Sequence, residues 1–307
     1  MALGFTRSTL TTDDGVDLAV FVHTPADWDR ARFPTLFLSN GLGGNLVTWK
    51  HLVEHFRDTH QVVTWDYRGL YESSFSPAMK ARYRSGDLKV DLPTHARDAI
   101  AVLDHLAIDR AVFFGWSMGV QLNFELARTR RQVMAGLVQI CGAAGKSITT
   151  TVFGKAGLAV IPTVMDSFRF AAERFAPTLS KMMGSPLALQ FAKGVGIVAP
   201  TLDTDLARLV VDSYMRQDFE VYNTILMSLA AHDATDLLAT LDVPTLIIAG
   251  TRDVMTPSAL SRQIADTMPD AELITLDGGT HYIPVEFPDR LNQLVADFFA
   301  RKLTPSA

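Results

Sequence analysis

A serine with a glycine two positions away on each side is the feature of this sequence that most strongly suggests chemistry. In the stretch FFGWSMGVQL, residues 113–122, Gly115 and Gly119 flank Ser117 directly after an apolar run. A serine at a sharp turn from a strand into a helix has a cramped backbone. Side chains two positions before or after it would clash with the neighbouring strand and helix. We therefore interpret Ser117 as a candidate nucleophile.

A serine nucleophile needs a base, and that base needs a carboxylate to orient it. Among the eight histidines, His281 is the best candidate because it lies in a glycine-rich loop just past the last apolar run. Asp253 ends TLIIAGTRD, just past another such run, and we expect it to orient the His281 ring. The alternative for Asp253 is a structural turn. The chain order Ser117, Asp253, His281 matches one known class of triad.

Acyl transfer also needs fixed hydrogen-bond donors for the negative oxygen of its tetrahedral intermediate. The stretch FLSNGLGGNL places a glycine-rich loop directly after an early apolar run. We predict that the backbone N–H groups of Leu42 and Met118 form this oxyanion site. The other members predicted for the oxyanion and substrate-binding site are Gly41, Gly43 and Trp116.

The composition is that of an ordinary globular protein. The chain has 307 residues, of which 48% are hydrophobic and 20% charged, and its net charge is −5. This balance gives it no attraction to nucleic acid or to anionic lipid. The N-terminus lacks a basic start followed by an apolar core, no run of about 18 apolar residues occurs, and the single cysteine suits a reducing compartment. We expect a cytoplasmic protein without a membrane span, and the oligomeric state stays open.

Six short apolar runs alternate with helical patterns along the chain. Continuous apolar runs are typical of strands buried on both faces of a parallel sheet. The alternation predicts an α/β fold with a doubly wound, mostly parallel sheet. The predicted strands cover residues 35–40, 61–66, 110–116, 136–141, 245–250 and 271–277.

The alternation stops between residues 143 and 236, where we predict a helical cap inserted into a core made of residues 1–142 and 237–307. Flexible methionine side chains in this span would suit apolar ligands, although methionines on helices are more often plain core. The apolar face of one predicted helix is formed by Phe168, Ala171, Ala172, Phe175 and Leu179. The methionines in this span are Met165, Met182, Met183, Met215 and Met227.

Two motifs suggest cofactors, and we reject both. HLVEH, residues 51–55, fits an inverted zinc-protease pattern. Its apolar residues form the buried stripe of a helix, however, so His51, Glu54 and His55 should face solvent. GLGGNL resembles a dinucleotide-binding loop, but Leu46 stands where the third glycine belongs. We predict no metal and no organic cofactor.

Taken together, these segments resemble the α/β-hydrolase superfamily, and the order of elements resembles its capped, cofactor-free members across nearly the whole chain. GWSMG resembles the family's nucleophile elbow, AGTRDVMTP its acid loop, GGTHYIPVEFPDRL its histidine loop and DYRGLYESS its Asp-x-Arg-Gly-x-Gly-x-Ser segment. Two positions depart from the family pattern. Asn40-Gly41 stands where many relatives have His-Gly, and Tyr71 replaces the second glycine of the arginine segment.

The residues and the resemblance together imply a serine hydrolase of small, mainly apolar carboxylic esters or lactones that works through an acyl-enzyme. Dehalogenase and epoxide-hydrolase relatives have aspartate at the elbow, so Ser117 argues against those two reactions. Three alternatives stay open: a carbon-carbon bond hydrolase, an acyltransferase with the same triad, and a ligand-binding receptor of the same fold.

Overall fold

The core of the protein is one eight-stranded sheet. The computed structural model describes residues 4–145 and 154–303, with the backbone alone at 154–162, 165 and 168. In chain order the strands are β1 (Thr6–Thr11), β2 (Asp17–His23), β3 (Thr35–Ser39), β4 (Val62–Trp65), β5 (Ala111–Trp116), β6 (Met134–Ile140), β7 (Thr245–Gly250) and β8 (Ala271–Leu276). Their spatial order is β1-β2-β4-β3-β5-β6-β7-β8.

Six strands that are neighbours in the sheet, in the order β4-β3-β5-β6-β7-β8, pair in parallel. They correspond to the six apolar runs of the sequence, and every residue of β3, β4, β5 and β7 is buried. Parallel sheets need cover on both faces, which explains why these strands are continuously apolar. The predicted mostly parallel sheet is confirmed.

The first two strands were not predicted. β1 pairs with β2, and β2 pairs with β4, both antiparallel. The β1 sequence TRSTLT is largely polar, and its residues are exposed or half buried because the strand lies at the sheet edge. Such a segment forms a strand because it pairs with β2, so its own pattern of polar and apolar residues gives little indication of a strand.

Helices cover both faces of the sheet. Phe114 of β5 lies in the same buried cluster as Phe298 near the C-terminus, while Phe113 lies in the cluster of the opposite face. No helix in the described part of the chain is long and apolar enough to cross a membrane. The α-helices are α1 (Lys50–Phe56), α2 (Pro77–Arg84), α3 (Leu92–His105), α4 (Met118–Arg130), α5 (Gly154–Met183), α6 (Pro186–Gly194), α7 (Thr204–Tyr214), α8 (Phe219–Ala231), α9 (Ser258–Thr267), α10 (Ile283–Glu286) and α11 (Pro288–Lys302).

Helices α5 to α8 lie between β6 and β7, where the sequence predicted a helical span, and we call residues 154–231 the helical insertion. The backbone of α5 leaves helical geometry at Phe175 (φ −129°, ψ 17°). Pro177 lies two residues further on, and a proline inside a helix removes a hydrogen bond and kinks the chain. Ala172 is buried but Phe175 is 55% exposed, so the predicted shared face is wrong at Phe175. The Phe168 side chain lies outside the described residues.

The methionines of the insertion favour the core and surface interpretations over a pocket lining. Met215 belongs to a small buried cluster with Ala172 and Phe219. Met182, Met183 and Met227 are exposed to solvent. The Met165 side chain lies outside the described residues.

Contacts between polar side chains attach the described part of the helical insertion to the core near Lys80 and near His51. Lys80 of α2 lies 2.5 Å from Asp218 and 3.2 Å from Glu220, at the start of α8. On the other side, His51 Nε2 lies 2.9 Å from Asp203 Oδ2, at the start of α7. His51 is therefore half buried against the insertion rather than facing solvent as the sequence predicted.

The start of α4 lies directly against the end of β3. A Cβ atom added at Gly119 would lie 2.1 Å from the carbonyl oxygen of Ser39. That distance is far inside van der Waals contact, and the obstacle is backbone rather than a movable side chain. A glycine is therefore required here for reasons of space.

We expect Gly119→Ala to lower the free energy of unfolding by about 1–3 kcal/mol, because the new methyl group must push α4 away from β3. Gly194→Ala is the matched control, since it also lies in a helix and its added Cβ meets nothing within 4 Å. The control should be neutral or up to about 1 kcal/mol more stable. Urea unfolding measures both, and equal stabilities for the two variants would contradict the packing argument.

Candidate active site

Ser117 lies at the turn between β5 and α4 in a strained conformation. Its φ of +56° and ψ of −116° cost a residue with a side chain on the order of 1–3 kcal/mol. Its N–H donates to the carbonyl of Ile140 at 3.0 Å, which holds the turn against β6. Trp116 and Met118 are buried, whereas Ser117 is partly exposed. The strain is therefore maintained at a residue that solvent or a ligand can reach.

The two flanking glycines leave room for this turn. A Cβ at Gly115 would lie 2.4 Å from Gln139 Oε1 and 2.7 Å from the carbonyl carbon of Gly119. Gly119 itself lies against Ser39, as described above. The steric reason that the sequence suggested for the spacing of the glycines is thus present in the structure.

Asp253 and His281 form a buried hydrogen-bonded pair. Asp253 follows β7, His281 follows β8, and His281 Nδ1 lies 2.9 Å from Asp253 Oδ2. Both residues are about 95% buried. This arrangement favours the tautomer in which Nδ1 carries the proton, which leaves Nε2 to accept one from a hydroxyl.

The Asp253 carboxylate is surrounded by donors. The N–H groups of Met255 and Thr256 donate to Oδ1, at 2.9 and 2.8 Å, and the Thr256 hydroxyl donates to Oδ2 at 2.7 Å. Burial alone would raise the pKa of Asp253, but the hydrogen bond and charge of His281 and the bonds from Thr256 outweigh it and hold that pKa below its usual value. The carboxylate is therefore ionised at neutral pH.

The residue before the serine connects it to the histidine loop. Parallel strands end at the same edge of a sheet, so Ser117, Asp253 and His281 all lie at the carboxyl edge. The Trp116 indole Nε1 donates to the backbone carbonyl of His281 at 2.8 Å. The structure thus brings the three predicted residues to one edge, with a direct contact between their segments.

The predicted oxyanion loop forms a tight turn. The N–H of Gly44 donates to the carbonyl of Gly41 at 2.8 Å. Gly43, the third residue of this turn, has a φ of +75°, as a type II turn requires at that position. Leu42 is the second residue, so the peptide that carries the proposed donor is part of a defined turn.

Trp116 packs against this turn. Cβ atoms added at Gly41 and Gly44 would lie 2.7 and 2.9 Å from its ring. Its indole N–H is bonded to His281, so Trp116 supports the two loops rather than offering that donor to a substrate. The second proposed donor, the N–H of Met118, belongs to the first residue of α4 and has no partner within the helix.

Asn40, one of the two departures from the family pattern, holds the start of the loop. Its side-chain amide donates to the carbonyl of Trp65 at 2.9 Å, and its side-chain oxygen accepts from the Trp49 indole at 2.7 Å. The Tyr67 hydroxyl donates to its backbone carbonyl at 2.6 Å. Buried hydrogen bonds of Asn40 therefore support the start of the loop, although many relatives have histidine at this position.

Two residues of the site were missed by sequence reasoning. Thr256 binds Asp253, and its position three residues after a carboxylate was an available signal. Glu286 is buried and accepts from the N–H and hydroxyl of Thr280, at 2.9 and 2.6 Å, and from the N–H of Ala199 at 2.8 Å. It ties the histidine loop to the insertion, and nothing local in the sequence indicated this contact.

Cys141, Asp253 and His281 offer potential metal ligand atoms within 4.8 Å of one another. Burial, followed by the charge of Asp253, raises the pKa of the Cys141 thiol well above its usual value, so the sulfur stays protonated. Metal binding needs the thiolate. The facing atoms of Asp253 and His281 are also already bonded to each other. These residues fit an acid–base pair better than a metal site.

Comparison with known proteins identifies the family of the chain. The family model for the alpha/beta hydrolase fold matches residues 34–288. A protein of Stutzerimonas stutzeri named carbamate hydrolase RutD is 26% identical, over 88% of this chain and 92% of its own. The 3-oxoadipate enol-lactonase 2 of Acinetobacter baylyi is 28% identical, over 94% of this chain and 95% of its own.

A solved structure agrees with these matches. A hydrolase from Pseudomonas aeruginosa superposes with a TM-score of 0.70 at 25% identity, over 96% of this chain and 98% of that one. The family model covers most of the chain, and the sheet order and the turn at Ser117 are consistent with it. The chain therefore belongs to the alpha/beta hydrolase fold family.

Proposed function

We propose that this chain is a serine hydrolase that cleaves carboxylic esters or lactones of mainly apolar character through an acyl-enzyme. The observation that carries the proposal is the strained, accessible Ser117 at the sheet edge that also holds the Asp253–His281 pair. The relatives named for carbamate hydrolysis and for enol-lactonase activity support a hydrolase of carbonyl compounds.

In the proposed mechanism, Ser117 Oγ attacks the substrate carbonyl while His281 Nε2 takes the hydroxyl proton. Asp253 stabilises the charged ring, and the N–H groups of Leu42 and Met118 bind the oxyanion. The ester bond then breaks, and the leaving alcohol takes the proton from His281. Water repeats the sequence on the acyl-enzyme with His281 as the base, which releases the acid and restores Ser117.

The side chains beside the proposed oxyanion loop support an uncharged substrate. Tyr214 and Tyr222 of the insertion contact Gly43, and the Tyr282 ring lies 5.9 Å from the His281 ring. Burial raises the pKa of Tyr282 to about 12 and also raises the pKa of Tyr222. These phenols are therefore neutral, and they offer apolar ring faces with a few hydroxyl groups.

We also propose that residues 143–236 act as a cap over a core made of residues 1–142 and 237–307. The helical insertion reaches the oxyanion loop through Tyr214 and Tyr222. Contacts at Asp203 and Asp218 fasten it to the core, which would let it define the shape of the substrate site. Carbamates are a second candidate substrate because of the relative named for their hydrolysis.

Ser117→Ala should abolish turnover of p-nitrophenyl esters, from acetate to laurate, while leaving the protein folded. The wild type should release a burst of p-nitrophenol with an acyl adduct visible in the intact-protein mass, because acylation precedes hydrolysis. A p-nitrophenyl carbamate in the same panel tests the second candidate. Substantial turnover by a pure, folded Ser117→Ala preparation would overturn the proposal.

Asp253→Asn should lower kcat for the best ester by about 10⁴-fold, because an amide oxygen cannot hold His281 in the same tautomer and charge state. Asp277→Asn is the matched control, since Asp277 follows β8 at the same edge but is exposed. The control should retain wild-type kcat. If both variants behaved alike, Asp253 would not be the orienting acid.

Asp253 should also make stability depend on pH in one direction. The pKa of Asp253 is lower in the folded protein than the usual 3.8. The ionised carboxylate therefore contributes fully to the free energy of unfolding above pH 3.8, and this contribution is lost as the pH falls below 3.8. Asp253→Asn should therefore be less stable than the wild type at pH 7, by about 1–3 kcal/mol. Urea unfolding at pH 7 and pH 3 should show this difference shrinking at the lower pH, and an unchanged difference would refute the linkage.

A further inference from the structure

Tyr71 occupies a backbone conformation that favours glycine. Its φ is +50°, in the left-handed region, where a side chain costs on the order of 1–2 kcal/mol. In the segment that DYRGLYESS resembles, a glycine stands at this position. Such a conformation persists only where the surrounding structure holds it, which directs attention to the contacts of Tyr71.

The Tyr71 hydroxyl lies against the oxyanion loop and close to Ser213 of the insertion. It donates to the backbone carbonyl of Gly43 at 2.5 Å. Burial raises the pKa of Tyr71 far above its usual value, with further contributions from nearby Asp66 and Tyr222. The hydroxyl therefore keeps its proton at neutral pH and can donate a hydrogen bond to the loop.

This hydrogen bond fixes the peptide that closes the turn around Leu42. The carbonyl of Gly43 and the N–H of Gly44 belong to one planar peptide group. The N–H donates to Gly41 and the carbonyl accepts from Tyr71, so both polar groups of that peptide are bound. Without the Tyr71 hydroxyl, only the single Gly44–Gly41 bond would hold the plane.

The helical insertion also contacts the same loop. A Cβ at Gly43 would lie 2.8 Å from the Tyr214 ring and 3.1 Å from the Tyr222 ring. The side-chain amide of Asn45 donates to the Ser213 hydroxyl at 2.6 Å. Tyr71, like Trp116, is thus a core residue that contacts a loop also touched by the insertion.

We propose that Tyr71 is a positioning residue for the oxyanion site: its hydroxyl, through the Gly43 carbonyl, holds the Leu42 N–H where the negative oxygen develops. The inference rests on the proposed function and deepens it, because it assigns a role to a residue that departs from the family pattern. A donor that is slightly misplaced stabilises the transition state less but leaves ground-state binding almost unchanged.

The test is the rate at which a fluorophosphonate labels Ser117, followed by intact-protein mass, because its phosphoryl oxygen enters the same site and no natural substrate is needed. Tyr71→Phe removes only the hydroxyl. Tyr83→Phe is the control, since the Tyr83 hydroxyl binds Thr224 and Glu220 at the same core–insertion boundary but does not touch the loop. Thermal melting of both variants checks that they are folded.

Tyr71→Phe should label about tenfold more slowly than the wild type, part of the 10²–10³-fold effect of losing an oxyanion donor outright. For a p-nitrophenyl ester, kcat should fall by a similar factor with KM nearly constant, and Tyr83→Phe should match the wild type. If the wild type labels and folded Tyr71→Phe labels at the same rate, or if only KM changes, the positioning role is wrong. If the wild type does not label at all, the proposed function fails, and the inference fails with it.

Discussion

The close approach of α4 to the end of β3 is the constraint on which the rest of the site depends. With Gly119 against the Ser39 carbonyl, the chain can leave β5 only through a sharp turn, and the residue at that turn is Ser117 with a φ of +56°. Hydrogen bonds hold the chain in this strained conformation. The Ser39 hydroxyl donates to Asn123 of α4 at 2.7 Å, and the N–H of Ser117 donates to Ile140 of β6. The sheet therefore positions the serine, rather than a flexible loop.

Trp116 links Ser117 to the two neighbouring loops by direct contacts. Its ring lies under Gly41 and Gly44, and its N–H binds the carbonyl of His281. A rigid indole that contacts both loops limits how far either can move relative to Ser117. An active site of this kind needs its groups held to within a fraction of an ångström. A tryptophan next to the serine meets that need with one side chain.

The sequence predicts a structural feature well when the residues that determine it are close together in the chain. The parallel strands and the turn at Ser117 were predictable, because apolar runs and flanking glycines act on their near neighbours. β1 was not, because it is a strand only through its pairing with β2. The exposure of Phe175 follows from a kink that Pro177 could have indicated. The role of Glu286 had no local signal, because it binds an N–H 87 positions away in the chain.

The two departures from the family pattern act on the same loop. Asn40 binds its start to β4 and to Trp49, the residue before α1, and Tyr71 binds its middle. Asn40 binds a residue 25 positions away in the chain, and Tyr71 binds one 28 positions away. The role of neither residue could therefore be inferred from its neighbours in the sequence. Because Tyr214 and Tyr222 also lie against Gly43, a movement of the insertion would alter the surroundings of the loop. The insertion and the proposed oxyanion site therefore meet at one turn of four residues.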